Sequence, residues 1–162
     1  MKTSFQYLER LYLPGYMTLV SEDYDEMIGV FGVMPIEPPV TVFSSRYLTP
    51  RGSHITISQA GFCLVERLMR EGLIGFDVEE FRDHTSEGRL KLIELNQRFK
   101  RELRLDSPIE GKFTLTHFRP GKIPVVKMDF DLGNRGFVGD LTAVIAPKPV
   151  PQMNSDVLRN IN

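Results

Sequence analysis

Cysteine, surplus charge and long apolar runs are what this chain does without. Cys63 is the only cysteine in 162 residues, so no intrachain disulfide is possible, and its place in an apolar run predicts a buried, inert thiol. Twenty Lys and Arg against twenty-one Asp and Glu leave a formal charge of −1, which gives no electrostatic footprint for nucleic acid or an anionic membrane. No hydrophobic leader and no apolar stretch long enough to span a bilayer is present, so a soluble cytoplasmic protein is expected. His54, His84 and His117 have no metal-ligand spacing, and no metal site is expected. Repeats and low-complexity segments are absent too. What is there, with 41% hydrophobic residues, suffices for a single domain over residues 1–162 with a sizeable core.

The organising stretch runs from Tyr47 to Gly72. It breaks at Pro50 and Gly52, presents Ser53 and His54, then continues from Ile55 to Val65 without a charge; only Thr56, Ser58 and Gln59 are polar there. A helix apolar on every side would leave hydrocarbon in water if it lay on a surface, so other elements must wrap it.

Those elements can be read along the chain. Phe5 to Leu13 makes a short amphipathic helix that Pro14-Gly15 stops, so residues 1–15 form an N-terminal cap. Tyr16 to Val20 and Met27 to Val33 read as a strand pair joined by the acidic turn Ser21 to Glu26. Pro35, Pro38 and Pro39 interrupt any strand before an extended run at Val40 to Phe43. Leu73 to Gly88 is a connector with room for one helical turn, because Asp77 and Glu80 have the spacing of a capping box. From Arg89 the apolar period changes to two, with a phase slip near Leu92 that predicts a bulge. Phe113 and Leu115, then Val126 to Leu132, then Phe137 to Ile145 alternate in the same way, with turns at Asp106-Ser107-Pro108, Arg119 to Lys122 and Gly133 to Gly136. These four strands are read as one antiparallel meander. Pro147 to Asn162 reads as a loose tail or a subunit contact. The fold class is therefore α+β: a curved antiparallel sheet wrapped around one long buried helix. Such a sheet keeps open edges, and pairing them between copies predicts a homodimer or a higher homo-oligomer.

In this the chain resembles the hot-dog fold, and from about Tyr16 to Ala146 it is similar to the FcoT-like family of long-chain acyl-thioester enzymes. The family's tyrosine, followed by glycine and histidine before the central helix, is matched by Tyr47 and Gly52-Ser53-His54; its R-F-[KR] strand motif by Arg98-Phe99-Lys100; and its last hairpin by Pro124-Val125-Val126 through the strand holding Gly139. The chain departs from the family in one extra residue between tyrosine and histidine, in Thr56 where an asparagine is usual, and in Val65 where a second asparagine is usual. The resemblance implies a thioesterase of fatty acid metabolism acting on acyl-CoA or acyl carrier protein. Coenzyme A or phosphopantetheine then belongs to the substrate, and no separate cofactor is needed. Alternatives are an enoyl- or hydroxyacyl-thioester lyase or transferase, including a dehydratase or glycine addition to an enoyl carrier thioester, and a non-catalytic acyl-binding protein.

Thioester chemistry needs donors for the carbonyl oxygen and a group that handles a proton. The first N–H groups of a helix are unsatisfied and carry the positive end of its dipole. Thr56-Ile57-Ser58-Gln59 fits a T-x-x-Q capping box, which makes Thr56 the N-cap and puts free donors near Ile57, Ser58 and Gln59. Gly52 and Ser53 line the approach. His54, beside that helix start, is the candidate to orient or deprotonate water, and Tyr47 the candidate to hydrogen-bond a substrate oxygen. The bland alternatives are structural caps, a loop histidine and a core tyrosine with a wet tip. Ser58 as a nucleophile lacks any signature tying it to His84, read as connector surface, or to His117. Hot-dog dehydratases pair a histidine before the helix with a carboxylate inside it. Here the His54 to Glu66 offset is shorter by two residues, a helical rotation of about 200°. Glu66, Arg67, Arg70 and Glu71 therefore read as the point where the helix emerges into solvent. Arg98 and Lys100, with Arg101 and Arg104, form a basic strand end suited either to the phosphates of the carrier or simply to solvent.

Overall fold

The computed structural model describes residues 4–13, 15–34, 36 and 47–147. The extended run expected at 40–43, the prolines at 35, 38 and 39, and the tail from 148 onward lie outside the described residues. The elements are α1 (Ser4–Leu11), β1 (Leu19–Asp25), β2 (Ile28–Val33), α2 (Pro50–Arg70), α3 (Val78–Ser86), β3 (Leu90–Phe99), β4 (Ile109–Arg119), β5 (Val125–Leu132) and β6 (Phe137–Ile145). Six strands form one antiparallel sheet in the order β1-β2-β4-β5-β6-β3, and α2 packs on its inner face.

Two strand expectations are corrected. The meander holds for β4, β5 and β6 only, since β3 lies at the far edge against β6. The chain from β3 to β4 makes that crossing, and Leu103 within it is buried and accepts the Leu48 N–H at 2.8 Å. Alternation alone specifies which face of a strand is apolar, and it is silent about which neighbour the strand takes. The acidic stretch is also strand rather than turn: β1 runs through Asp25, and Asp25 faces Ile28 across the hairpin, with Glu26 in the left-handed region at φ 46°. As an edge strand, β1 can hold Asp23 and Asp25 toward water at little cost, while half-buried Glu22 accepts the Tyr24 hydroxyl at 2.6 Å. The slip expected near Leu92 is found as a register shift between Leu92 and Glu94.

Inside, the sheet carries one aromatic ring per strand in spatial order. Tyr24 of β1 meets Phe31 of β2, then follow Phe113 of β4, Phe130 of β5, Phe137 of β6 and Phe99 of β3, with successive centroids between 4.2 and 6.1 Å. Edge and offset contacts of this kind add to the area they bury. Gly139 is required where β6 meets β3, because a Cβ there would fall 2.0 Å from the Asn96 carbonyl oxygen.

The other side of α2 is covered by helices. Asp77 caps α3 by accepting the Glu80 N–H at 2.8 Å, so the connector holds a nine-residue helix rather than a single turn. Phe62 of α2 is stacked between Tyr7 of α1 (5.4 Å) and Phe81 of α3 (5.2 Å). Every residue from Gln59 to Glu66 is buried. No helix among the described residues is long and apolar enough to cross a membrane.

Candidate functional site

The central helix starts earlier than its sequence suggests. Thr49 is the N-cap: its carbonyl accepts the Ser53 N–H (3.0 Å) and its hydroxyl the Gly52 N–H (3.4 Å), while Pro50 takes the first helical position. Proline is favoured there because its missing N–H has no helical partner to lose. Thr56 is therefore not the cap. The N–H groups of Ile57, Ser58 and Gln59 lie inside a continuous helix, where each bonds the carbonyl four residues back, so they are not free to hold an oxyanion. Gly52, Ser53 and His54 belong to the first turns of the helix rather than to a loop before it.

The sequence candidates then separate by burial. Ser53 is buried, with its hydroxyl donating to the Pro50 carbonyl (2.8 Å) and toward Gln97 Oε1 of β3 (3.4 Å). Thr56 is fully buried, and its hydroxyl has no partner among the described residues. Gln59 is a tie between helix and sheet. Its Oε1 accepts the Thr18 N–H and hydroxyl, both at 2.9 Å, and its Nε2 donates to the Tyr16 carbonyl at 2.7 Å. Ile57 is buried. His54 and Ser58, by contrast, are exposed, and residues four apart are neighbours on one helix face. Tyr47 is 41% exposed at an isolated backbone bridge to Arg104 just before the helix. Arg98 is exposed at the end of β3; strand alternation puts it on the sheet face opposite Phe99, which packs on Phe137 at 4.2 Å. Lys100 follows, exposed, its N–H bonded to the Gly136 carbonyl. Arg98 and Lys100 are thus not brought to the face that carries His54 and Ser58.

That face continues into a cavity of about 240 Å³. Ile57, Ser58, Gly61, Phe62 and Val65 line it from α2. Leu90 and Leu92 of β3, with pairs from β5 and β6, form the sheet side, and Leu8, Leu11 and Tyr12 together with Phe81 and Thr85 close it from the helices. The lining is overwhelmingly apolar. Gly61 lets the sheet approach, since a Cβ there would sit 2.8 Å from the Met128 methyl. Burial pushes the Tyr12 hydroxyl pKa up, so the ring presents a neutral phenol. The sequence singled out Ile57 and Ser58 but missed the remaining walls, because they come from six elements that alternation cannot bring together.

Three further expectations change. Glu66 does not mark an exit into solvent: it is fully buried, held by Arg82 of α3 and by Arg70 at 3.3 Å. Arg82 in turn pairs with Glu79 and lies over the Tyr7 ring, which donates its hydroxyl to the Arg82 carbonyl at 2.6 Å. His84 is buried rather than on the surface, with Nε2 at 3.2 Å from Glu80 and its ring against Phe76. Cys63 is buried as expected, and desolvation, with Glu22 and Glu66 nearby, raises its thiol pKa. No group of three metal-ligating side chains exists among the described residues.

No protein-family model and no curated protein matches the chain. Solved structures do. The dehydratase heterocomplex ApeI:P from Xenorhabdus doucetiae superposes with a TM-score of 0.58 at 12% identity over 100% of this chain and 99% of that one. A sigma28-regulated virulence protein from Campylobacter jejuni gives 0.53 at 10% identity, over 91% of this chain and 98% of that one. A hypothetical thioesterase protein with coenzyme A from Streptococcus pneumoniae TIGR4 gives 0.50 at 10% identity, over 80% and 88%. The six-stranded antiparallel sheet wrapped on α2 is thus a hot-dog fold, shared with these structures at low sequence identity.

Proposed function

We propose that the protein acts on acyl thioesters, with hydrolysis as its reaction. One observation carries this reading: His54 and Ser58, the two exposed polar side chains of an otherwise buried helix segment, share the face that leads into the apolar cavity. A polar head and an apolar tail on one stripe fit a thioester whose acyl chain leaves water while its carbonyl stays beside groups that handle protons. The coenzyme A bound to the Streptococcus pneumoniae neighbour supports the same class of substrate, either acyl-CoA or an acyl carrier protein.

In this reading the His54 imidazole takes a proton from water as the water oxygen bonds the thioester carbonyl carbon. The carbon–sulfur bond then breaks, and the imidazolium returns the proton to the departing thiolate, giving a carboxylic acid and a thiol. With the helix N–H groups committed, the Ser58 hydroxyl is the donor for the carbonyl oxygen, and Tyr47 adds a second hydroxyl at the helix start. Arg98 and Lys100 remain candidates for carrier phosphates approaching the β3 edge. Dehydration is the weaker reading because Glu66, the carboxylate inside the helix, is locked between Arg82 and Arg70.

We also read the working unit as a homodimer joined through β3. Of the two sheet edges, β1 exposes the acidic Asp23 and Asp25, which repel a second copy, whereas β3 exposes the adjacent Leu92 (42%) and Ile93 (61%).

A thiol-release assay over acyl-CoA and acyl-carrier substrates of increasing length, repeated with glycine and with enoyl thioesters, tests the reaction. His54→Ala is expected to lower turnover by about 10²–10⁴-fold. Unchanged turnover would overturn the role of His54, glycine-dependent product would replace hydrolysis by addition, and binding without turnover would leave a non-catalytic acyl-binding protein.

A further inference from the structure

Resting on the acyl-thioester reading, we propose that the cavity selects a medium-length chain of about eight carbons, and that α1 is the wall that sets the limit. The cavity holds about 240 Å³. A water molecule occupies about 30 Å³ of liquid and a methylene is of similar size, so the space takes about eight such groups. Length agrees with volume. Along α2 the lining runs from Ile57 to Val65, eight residues or about 12 Å of helix, enough for an extended chain of about eight carbons.

The walls differ in how firmly they are held. Most of the α2, β5 and β6 lining belongs to the core, with Val65 only 3% exposed, while Ser58 and Leu92 form an exposed rim. The α1 side is one eight-residue helix: its Leu8 is buried, but Leu11 at its end and Tyr12 just beyond reach the cavity while themselves only half-buried. Truncating Leu11 enlarges the cavity without hollowing the core, whereas enlarging Val65 shortens it from the helix side. Chain-length choice therefore lies in a peripheral segment that can change without disturbing the His54 end.

The test uses the full chain and S-alkyl-coenzyme A thioethers from butyl to hexadecyl, which bind but cannot be cleaved, with affinities read by calorimetry. Affinity is expected to rise about fourfold per methylene up to octyl. It should then fall about tenfold or more by dodecyl, as the chain outgrows the space. Leu11→Ala should move the optimum toward decyl, and Val65→Phe toward hexyl. An affinity that keeps rising to hexadecyl, or an optimum that Leu11→Ala leaves in place, overturns the proposal; the Leu11 variant decides it even if Val65→Phe does not fold. An octyl optimum with no turnover of the matching thioesters would sink hydrolysis and leave the chain-length limit standing. Turnover indifferent to chain length would do the reverse.

Discussion

Thr56 and Gln59 stand three residues apart in the buried helix and illustrate how differently two polar groups can be settled. The Thr56 hydroxyl has no partner among the described residues, so replacing it by an isosteric methyl removes a buried polar group and breaks nothing. Thr56→Val is expected to be neutral or to stabilise by up to about 1 kcal/mol and to leave turnover intact. A collapse of turnover would restore it as a catalytic group. Gln59→Leu should cost about 3 kcal/mol, because the Thr18 N–H, the Thr18 hydroxyl and the Tyr16 carbonyl would all lose their partner. Chemical denaturation of both variants checks the pair. Both residues were visible as polar interruptions of an apolar run, but whether such a group caps, bonds or is stranded depends on a neighbour forty residues away in sequence, which no local pattern reveals.

Buried acids set the alkaline limit of stability. Desolvation raises the pKa of Cys63 above its ordinary 9.0 and that of Tyr24 and Tyr12 above 10.0. Above pH 9 the unfolded chain therefore releases protons that the folded chain retains, and stability must fall as pH rises. Unfolding free energy should be level near neutrality and decline from about pH 9 upward. Cys63→Ala should delay the onset toward the tyrosine range, as followed by denaturant titrations across pH. The same burial predicts that a thiol reagent leaves the native protein unmodified and labels it only on unfolding.

At the scale of elements, α2 and α3 are clasped by an ion cluster with Glu66 at its centre. Breaking a buried pair by removing one charge is costly because the partner is left without compensation. Glu66→Gln is expected to lose about 3 kcal/mol. That lowers Tm by about 10 °C in a domain of this size. Turnover per folded molecule should be unaffected, and a selective loss of turnover instead would bring back the dehydratase reading. The sequence hid this clasp, since a carboxylate flanked by arginines at helical spacing is also what a solvated helix end looks like. It hid the helix start for a related reason. Pro-Arg-Gly breaks most helices, yet proline at the first position after a threonine cap begins one. The strands were far more legible, because Val126 to Leu132 alternate cleanly and Phe137, Leu141, Ala143 and Ile145 mark a buried face of the next strand.

For the molecule as a whole, the wrapped helix was legible from its lack of charge, while strand order was not. Alternation shows that β3 has an apolar face, but its place at the edge is set by its ladder with β6, a non-local pairing that periodicity does not encode. That edge gives the remaining prediction. Ile93→Lys should shift a dimer toward monomer by light scattering with little change in protomer stability, since the side chain is 61% exposed within the protomer. A monomeric wild type would remove the dimer from the proposed function.

The strand order also has a consequence in time. The sheet around α2 closes only when β6 is inserted between β5 and β3, and β6 begins at Phe137, 67 residues after α2 ends at Arg70. At a synthesis rate of about 5–20 residues per second, the ribosome needs about 3–13 s even to reach that strand. Throughout this interval the apolar helix has been made and its cover is unfinished, with β3 waiting for a neighbour that does not yet exist. A nascent chain of this protein is thus a natural client for chaperones that shield hydrocarbon, and its hazardous moment comes before the last strand leaves the ribosome.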